Sequence, residues 1–246
     1  MRLGKTPARI NATQLKLTDY WDHTVVSAHI PAEFGTDALG MEWGMHGNDV
    51  RATSVWAGAA HETRWWAQES GTSVTISTDN TLSDYATVTG FQDLGTDLQT
   101  AASYRRRVGI LDADGNRHRI GGYVALTPGD PDQLAAAVYV FGAAGVGLRL
   151  PEYALADAEA GRVWDLRQGI PDIAGGQYVP AVGRSSEGNF YVITWGRIQP
   201  MSEGFYRRYC DEALVYFSTD FLRAGVSPPG FDRARLLTDL EAFTRR

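Results

Sequence analysis

The chain is 246 residues long, carries a formal net charge of −6, and contains 43% hydrophobic and 21% charged residues. These values are typical of a globular protein with one large domain or two small ones, and they exclude a disordered or fibrous chain. The acidic charge argues against a nucleic acid partner, and the single cysteine, Cys210, leaves no internal disulfide.

The first half of the chain is predicted to be an arm followed by helices. Residues 1–40 are polar and contain several glycines and prolines, which predicts an extended arm ahead of a single domain over residues 41–246. Apolar spacing and capping residues predict helices at 53–69, 80–88 and 97–107. No apolar stretch is long enough for a membrane span or the core of a signal peptide, so we expect neither a membrane partner nor export.

Several polar segments in this half resemble binding sites, but each is better explained as an ordinary structural feature. The segment 112–116 begins like a calcium loop but lacks the closing glutamate, so we predict a turn between strands. The run 105–107 is three arginines, which we interpret as the solvated end of a helix. His23, His29 and His118 have no ligand partners at suitable spacing, and we predict no metal and no cofactor.

The second half alternates between apolar and polar residues, as strands do. Strands are predicted in HRIGGYVAL, VGLRLP and the hairpin-like pair GGQYVPAVGR and NFYVITWGR, with helices at PDQLAAAVYVF, 202–211 and 231–245. A helix-rich half followed by a sheet-rich half is an α+β arrangement, and a cleft can form where the halves meet.

Two sequence segments are placed to line such a cleft. Residues 47–56 (GNDVRATSVW) lead into the first helix, and residues 175–183 (GGQYVPAVG) are followed by residues 191–196 (YVITWG). Together they resemble the papain-like cysteine peptidase fold, in particular phage and bacterial members with the patterns Gly-Asn-Asp-x-x-x-x-Cys and Gly-Gly-His-x-Val-x-x-Val-Gly. The resemblance runs over about residues 40–217 and implies a central helix packed on an antiparallel sheet.

The same resemblance implies a role for each position of the motif. Ser54 stands where the family has its nucleophilic cysteine, and Gln177 stands where it has the histidine base. Ile193 occupies the position of the asparagine that orients this histidine, whereas Asn48 suits the oxyanion hole. A serine hydroxyl needs a general base to become nucleophilic, and glutamine cannot accept that proton.

Other residues leave alternatives open. Ser54 is interpreted first as a helix N-cap and second as a serine nucleophile, with His46 as the candidate replacement base. His61 lies about two turns along the helix, roughly 10 Å away, so a direct pair with Ser54 is excluded. Aromatic residues of the central helix and sheet can line the cleft or belong to the core, and the predicted cleft residues are Trp56, His61, Tyr178 and Trp195.

The main hypothesis from the sequence is a catalytically inactive papain-like protein that serves as a structural or binding module. The resemblance to phage proteins favours a head, connector or tail component with virion proteins as partners, in the cytoplasm or the particle. The alternatives are a residual peptidase or amidase that uses Ser54, and a module that binds a peptide or cell-wall fragment without cutting it.

Overall fold

The computed structural model describes residues 1–9, 15–22, 24 and 29–218. Within these ranges the chain forms six α-helices and eight strands. The helix predicted at 231–245 lies outside the described residues, and so does His23. The division into an arm of residues 1–40 and a domain from residue 41 stays a prediction. No described helix combines the length and the apolar character that crossing a bilayer requires.

Four of the six helices begin at a residue whose side chain caps the helix. Ser77, Asp97, Asp130 and Ser202 each accept a hydrogen bond from the backbone N–H three residues further on, and so close the first turn of a helix. The five predicted helices that lie within the described residues are confirmed, each within two residues at either end. The helices are α1 (Ser54–Glu69), α2 (Thr78–Thr89), α3 (Leu98–Arg107), α4 (Pro131–Phe141), α5 (Glu152–Glu159) and α6 (Glu203–Tyr209).

The strands form one antiparallel six-stranded sheet in the order β3-β8-β4-β5-β6-β7, and a separate hairpin of β1 and β2. The predicted α+β arrangement is confirmed. The hairpin encloses the turn at 112–116, as predicted, since the Asp112 carboxylate accepts the N–H groups of Asp114 and Asn116. The strands are β1 (Ile110–Leu111), β2 (Arg117–His118), β3 (Ile120–Ala125), β4 (Ala144–Pro151), β5 (Ile173–Arg184), β6 (Phe190–Thr194), β7 (Arg197–Met201) and β8 (Cys210–Ser218).

The sheet separates two apolar cores because successive side chains of a strand point to opposite faces. In β6, Phe190 and Val192 enter the core shared with α4 and α6, while Tyr191 and Ile193 enter the core shared with α1 and α3. The central helix α1 lies against β5, and Gly58 allows this approach: a Cβ there would lie 2.3 Å from Cε1 of Tyr178. The helix carrying Ser54 is thus fixed against the strand carrying Gln177.

A buried ion pair joins α1 to α3 and corrects the interpretation of the arginine run. Arg105 is 2% exposed rather than solvated, and its Nη1 lies 2.6 Å from Oε2 of Glu62, which is fully buried. The Tyr178 hydroxyl donates to the other oxygen of Glu62 at 2.6 Å. The guanidinium also stacks on Tyr216, 4.2 Å from the ring centroid. The pair ties both helices to β5 and β8 behind the predicted cleft.

Candidate functional site

Ser54 is the first residue of α1 and is 2% exposed. The N-cap position belongs to Thr53, whose side chain makes no capping hydrogen bond, so the predicted N-cap role of Ser54 is wrong. The Ser54 hydroxyl oxygen instead accepts the backbone N–H of Tyr178 across the cleft, at 3.3 Å. The hydroxyl therefore links the helix to β5 at the position next to Gln177.

Gln177 is fully buried on β5 and faces the same junction. Its Nε2 donates to Oγ1 of Thr194 at 3.0 Å and to Oδ1 of Asn48 at 3.3 Å. The structure thus brings together Ser54, Gln177 and Asn48, which lie far apart in the sequence. The amide is held by hydrogen bonds that an imidazole could also make, but it offers no basic nitrogen.

The side chain that orients Gln177 is Thr194, not the residue before it. Ile193 was assigned to the orienting position by the resemblance, but its side chain points into the core shared with α1 and α3. Thr194 points to the opposite face of β6, where it reaches Gln177. The alternation of side chains along a strand is the signal that could have identified Thr194 from the sequence.

Neither nearby histidine is hydrogen-bonded to Ser54. His46 is buried, its Nδ1 lies 3.3 Å from Oγ1 of Thr81, and its Nε2 has no hydrogen-bond partner. Burial lowers the pKa of His46 to about 4, and the charge of Arg64 adds to this effect. Nε2 of His61 lies 3.1 Å from the carbonyl oxygens of both Trp43 and Gly44, and burial holds its pKa well below the ordinary value. Within the described residues, no imidazole is hydrogen-bonded to Ser54.

The other predicted cleft residues are mostly part of the core. Trp56 is buried and donates its indole N–H to Oγ1 of Thr96, and Tyr178 is buried against Gly58. Trp195 does face the site, because its indole N–H donates to the carbonyl oxygen of Arg2 at 3.1 Å. The corrected cleft therefore keeps Trp195 and loses Trp56, His61 and the Tyr178 ring.

Residues 2–6, which we call the cleft segment, fill the junction between the two halves. On the helical side, Arg2 N–H donates to the carbonyl oxygen of Asn48 at 3.0 Å, and the Asn48 side-chain amide donates to the carbonyl oxygen of Arg2 at 3.0 Å. Further along, the N–H of Thr96 donates to Gly4 and the N–H of Thr6 donates to Thr96. On the sheet side, Lys5 N–H donates to the carbonyl oxygen of Gly176 at 3.1 Å.

These bonds place extended backbone directly over the Ser54 position. The Asn48 amide, suited by type to an oxyanion hole, is already occupied by the carbonyl of Arg2. The sequence predicts an extended arm here but gives no sign that it enters the cleft. Among the described residues no cluster of three or more histidine, cysteine, aspartate or glutamate side chains is arranged to hold a metal ion.

Comparison with solved structures places this geometry in a known fold. Xylellain, a cysteine protease from Xylella fastidiosa, aligns over 88% of this chain and 96% of its own, with a TM-score of 0.69 and 12% identity. The chain has a papain-like fold. A procathepsin B from Trypanosoma congolense aligns over 87% of this chain and 86% of its own, with a TM-score of 0.62 and 13% identity. Digestive procathepsin L 3 of Tenebrio molitor aligns over 87% and 76%, with a TM-score of 0.58 and 17% identity.

The sequence comparisons assign this chain to no family. No protein-family model matches the chain, and no curated protein matches it. The identities to the solved structures are low enough that the likeness extends to the fold alone. The function of this papain-like chain therefore has to be argued from its own residues.

Proposed function

We propose that this chain is a non-catalytic papain-like protein that acts as a structural or binding module. The observation that carries the proposal is the hydrogen bonding of Gln177, a neutral amide held between Asn48 and Thr194 where papain-like peptidases have a base. A carboxamide cannot take a proton from a nucleophile near neutral pH. Ser54 is left without the partner that acyl transfer requires.

The surroundings of Ser54 support the same proposal. A cysteine at a helix N-terminus beside a histidine ionises readily, whereas a serine hydroxyl has no comparable route to an anion. The Ser54 oxygen accepts an N–H from Tyr178, and the cleft segment lies where a substrate backbone has to enter. A residual hydrolase that uses His46 is disfavoured because this imidazole bonds Thr81 and has its pKa lowered to about 4.

The cleft segment favours one of the alternatives over the others. Its backbone is bound from both walls in an extended conformation, which is how peptide grooves hold their ligands. A binding module that holds a peptide without cutting it is therefore the second candidate, and it is compatible with the first. We propose that the partners of this chain are proteins. We also propose that it belongs to a phage particle, because residues 47–56 and 175–183 resemble segments of phage proteins.

Covalent probes test the absence of catalysis. We expect a fluorophosphonate and a cysteine-directed epoxide to leave Ser54 unlabelled in the wild-type protein, with sites mapped by mass spectrometry. The Ser54→Cys, Gln177→His double variant should react with the epoxide faster than the Ser54→Cys single variant, since only the double variant regains a base. Each protein is also made with Gly4→Val, which displaces the cleft segment. Labelling of Ser54 in the wild-type sequence contradicts the proposal.

A separate measurement tests the assembly role. If the chain is a virion component, quantitative mass spectrometry of purified particles should find it at a fixed ratio to the major capsid protein. Recovery of the chain from lysate alone, with none in washed particles, contradicts the virion assignment and leaves the catalytic question untouched.

A further inference from the structure

The side chain of Lys5 is fully buried at the sheet side of the cleft. Its Nζ lies 3.0 and 3.1 Å from the two carboxylate oxygens of Asp211 and donates to the carbonyl oxygen of Thr6 at 3.2 Å. Glu212, the next residue of β8, is also buried, and the charge of Lys5 acts against the burial that raises its pKa. Lysine is seldom buried unless it is paired, so this pairing marks a pocket built for an ammonium group.

Glycines in two strands make room for the lysine. A Cβ at Gly147 of β4 would lie 2.2 Å from Cε of Lys5, and a Cβ at Gly176 of β5 would lie 2.2 Å from the Lys5 carbonyl oxygen. Neither glycine has the left-handed backbone that would itself demand glycine. The Lys5 side chain therefore fills the space that a side chain at residue 147 would need, and the backbone of the cleft segment fills the space that a side chain at residue 176 would need.

A second steric restriction acts one residue earlier. A Cβ at Gly4 would lie 2.5 Å from the C and O atoms of Ala52 and from the backbone N of Ser54. All three are backbone atoms at or just before the start of α1, and they cannot move away as the end of a flexible side chain can. The position over Ser54 therefore admits glycine and rejects every other residue.

We infer that the cleft is a selective peptide groove that recognises an extended Gly-Lys sequence, through a steric gate over Ser54 and an ammonium pocket at Asp211. The cleft segment is its resident ligand, and a free peptide of the same sequence competes for the same place. The backbone bonds to Asn48, Thr96 and Gly176 supply affinity without regard to sequence, while the gate and the pocket supply selectivity. This inference rests on the proposed binding role and gives its ligand class.

Fluorescence anisotropy with a labelled peptide, MRLGKTPAR, tests the inference. The full-length Gly4→Val variant cannot hold its own segment at the gate, so it should bind the peptide at least about tenfold more tightly than the wild type. The matched control is Gly40→Val, because a Cβ at Gly40 meets no atom within 4 Å and the segment stays in place. This control should bind the peptide as weakly as the wild type.

Altered peptides separate the two parts of the recognition. Norleucine in place of lysine removes the charged hydrogen bonds and should weaken binding at least about tenfold. Valine in place of glycine should abolish binding. Asp211→Asn, added to Gly4→Val, should weaken binding of the lysine peptide far more than that of the norleucine peptide. Equal affinity for the lysine and norleucine peptides overturns the ammonium pocket, and equal affinity for the glycine and valine peptides overturns the gate.

The Lys5→Met variant keeps the test decisive if Gly4→Val does not fold. It removes the ammonium from the cleft segment without a steric clash, so it should also bind the lysine peptide more tightly than the wild type. Failure of both variants to bind the peptide, with circular dichroism showing Lys5→Met folded, overturns the groove. Peptide binding tests the selective groove, whereas probe labelling at Ser54 tests the absence of catalysis. Failure of one proposal can therefore be distinguished from failure of the other.

Discussion

Replacing Arg105 by methionine should lower the free energy of unfolding by about 3–5 kcal/mol, since removing one partner of a buried ion pair leaves the other uncompensated. The pair is short, at 2.6 Å, and Arg105 and Glu62 have side chains that are 2% and 0% exposed. The hydrogen bond from Tyr178 remains, but a single neutral donor does not replace a guanidinium.

The loss should depend on pH. Burial already raises the pKa of Glu62, and Arg105 opposes this effect, so the pKa rises further in Arg105→Met. When the pKa of a carboxyl group is higher in the folded than in the unfolded protein, the free energy of unfolding falls as the pH rises through the interval between the two pKa values. The difference between variant and wild type should therefore be larger at pH 8 than at pH 5.

Urea unfolding followed by tryptophan fluorescence measures both effects. The exposed Arg107→Met is the matched control and should stay within about 0.5 kcal/mol of the wild type. The Glu62→Gln, Arg105→Met double variant should recover part of the loss, because it leaves no buried charge. A loss below about 1 kcal/mol in Arg105→Met at pH 8, or the same loss at both pH values, refutes the reasoning.

Three further changes have defined outcomes. Thr194→Val removes the 3.0 Å acceptor of Gln177 and should cost about 1–3 kcal/mol in urea unfolding, whereas Thr194→Ser should restore most of it; equal stabilities of the two variants contradict the bond. Gly58→Ala should lower the melting temperature, because its Cβ would lie 2.3 Å from Tyr178. Overpacking costs about 1–3 kcal/mol, which exceeds the gain in helix propensity from glycine to alanine. A higher melting temperature argues against this packing. Burial raises the pKa of Glu212 to about 7 from 4.5, so the free energy of unfolding should fall as the pH rises between these values. Glu212→Gln should remove that fall. The same dependence of the free energy of unfolding on pH in the variant and the wild type disproves the shift.

The sequence predicts the frame of the site well. Capping residues and apolar spacing locate the helices, and the segments 47–56 and 175–183 carry enough pattern to predict that they meet. These patterns are local in the sequence. The other contacts between the start of α1 and β5 depend on how the fold packs the helix against the strand.

The buried Arg105 shows where local reasoning was wrong and what could have corrected it. Arg105 lies four and seven residues after Ala101 and Leu98, which are buried on the same face of α3. An arginine on an apolar face has to find an acidic partner, and Glu62 is such a residue on the central helix. Interpreting the arginines as one charged run concealed this difference between Arg105 and its two neighbours.

The cleft segment could not be predicted from its residues. Four of its hydrogen bonds join backbone to backbone, and these depend on the shape of the groove rather than on side-chain identity. The proposed roles of Gly4 and Lys5 depend on their contacts with Ser54 and Asp211, which are distant in the sequence. A contact between a terminus and a groove formed by tertiary packing leaves no periodic signal.

Hydrogen exchange at the amides of Lys5 and Thr6 tests most directly that the altered site is closed by the chain's own segment. These N–H groups donate to the carbonyl oxygens of Gly176 and Thr96 at 3.1 and 3.2 Å. We expect slow exchange in the wild type and in Gly40→Val, and fast exchange in Gly4→Val. Exchange at the rate of an unstructured peptide in the wild-type protein would contradict the account.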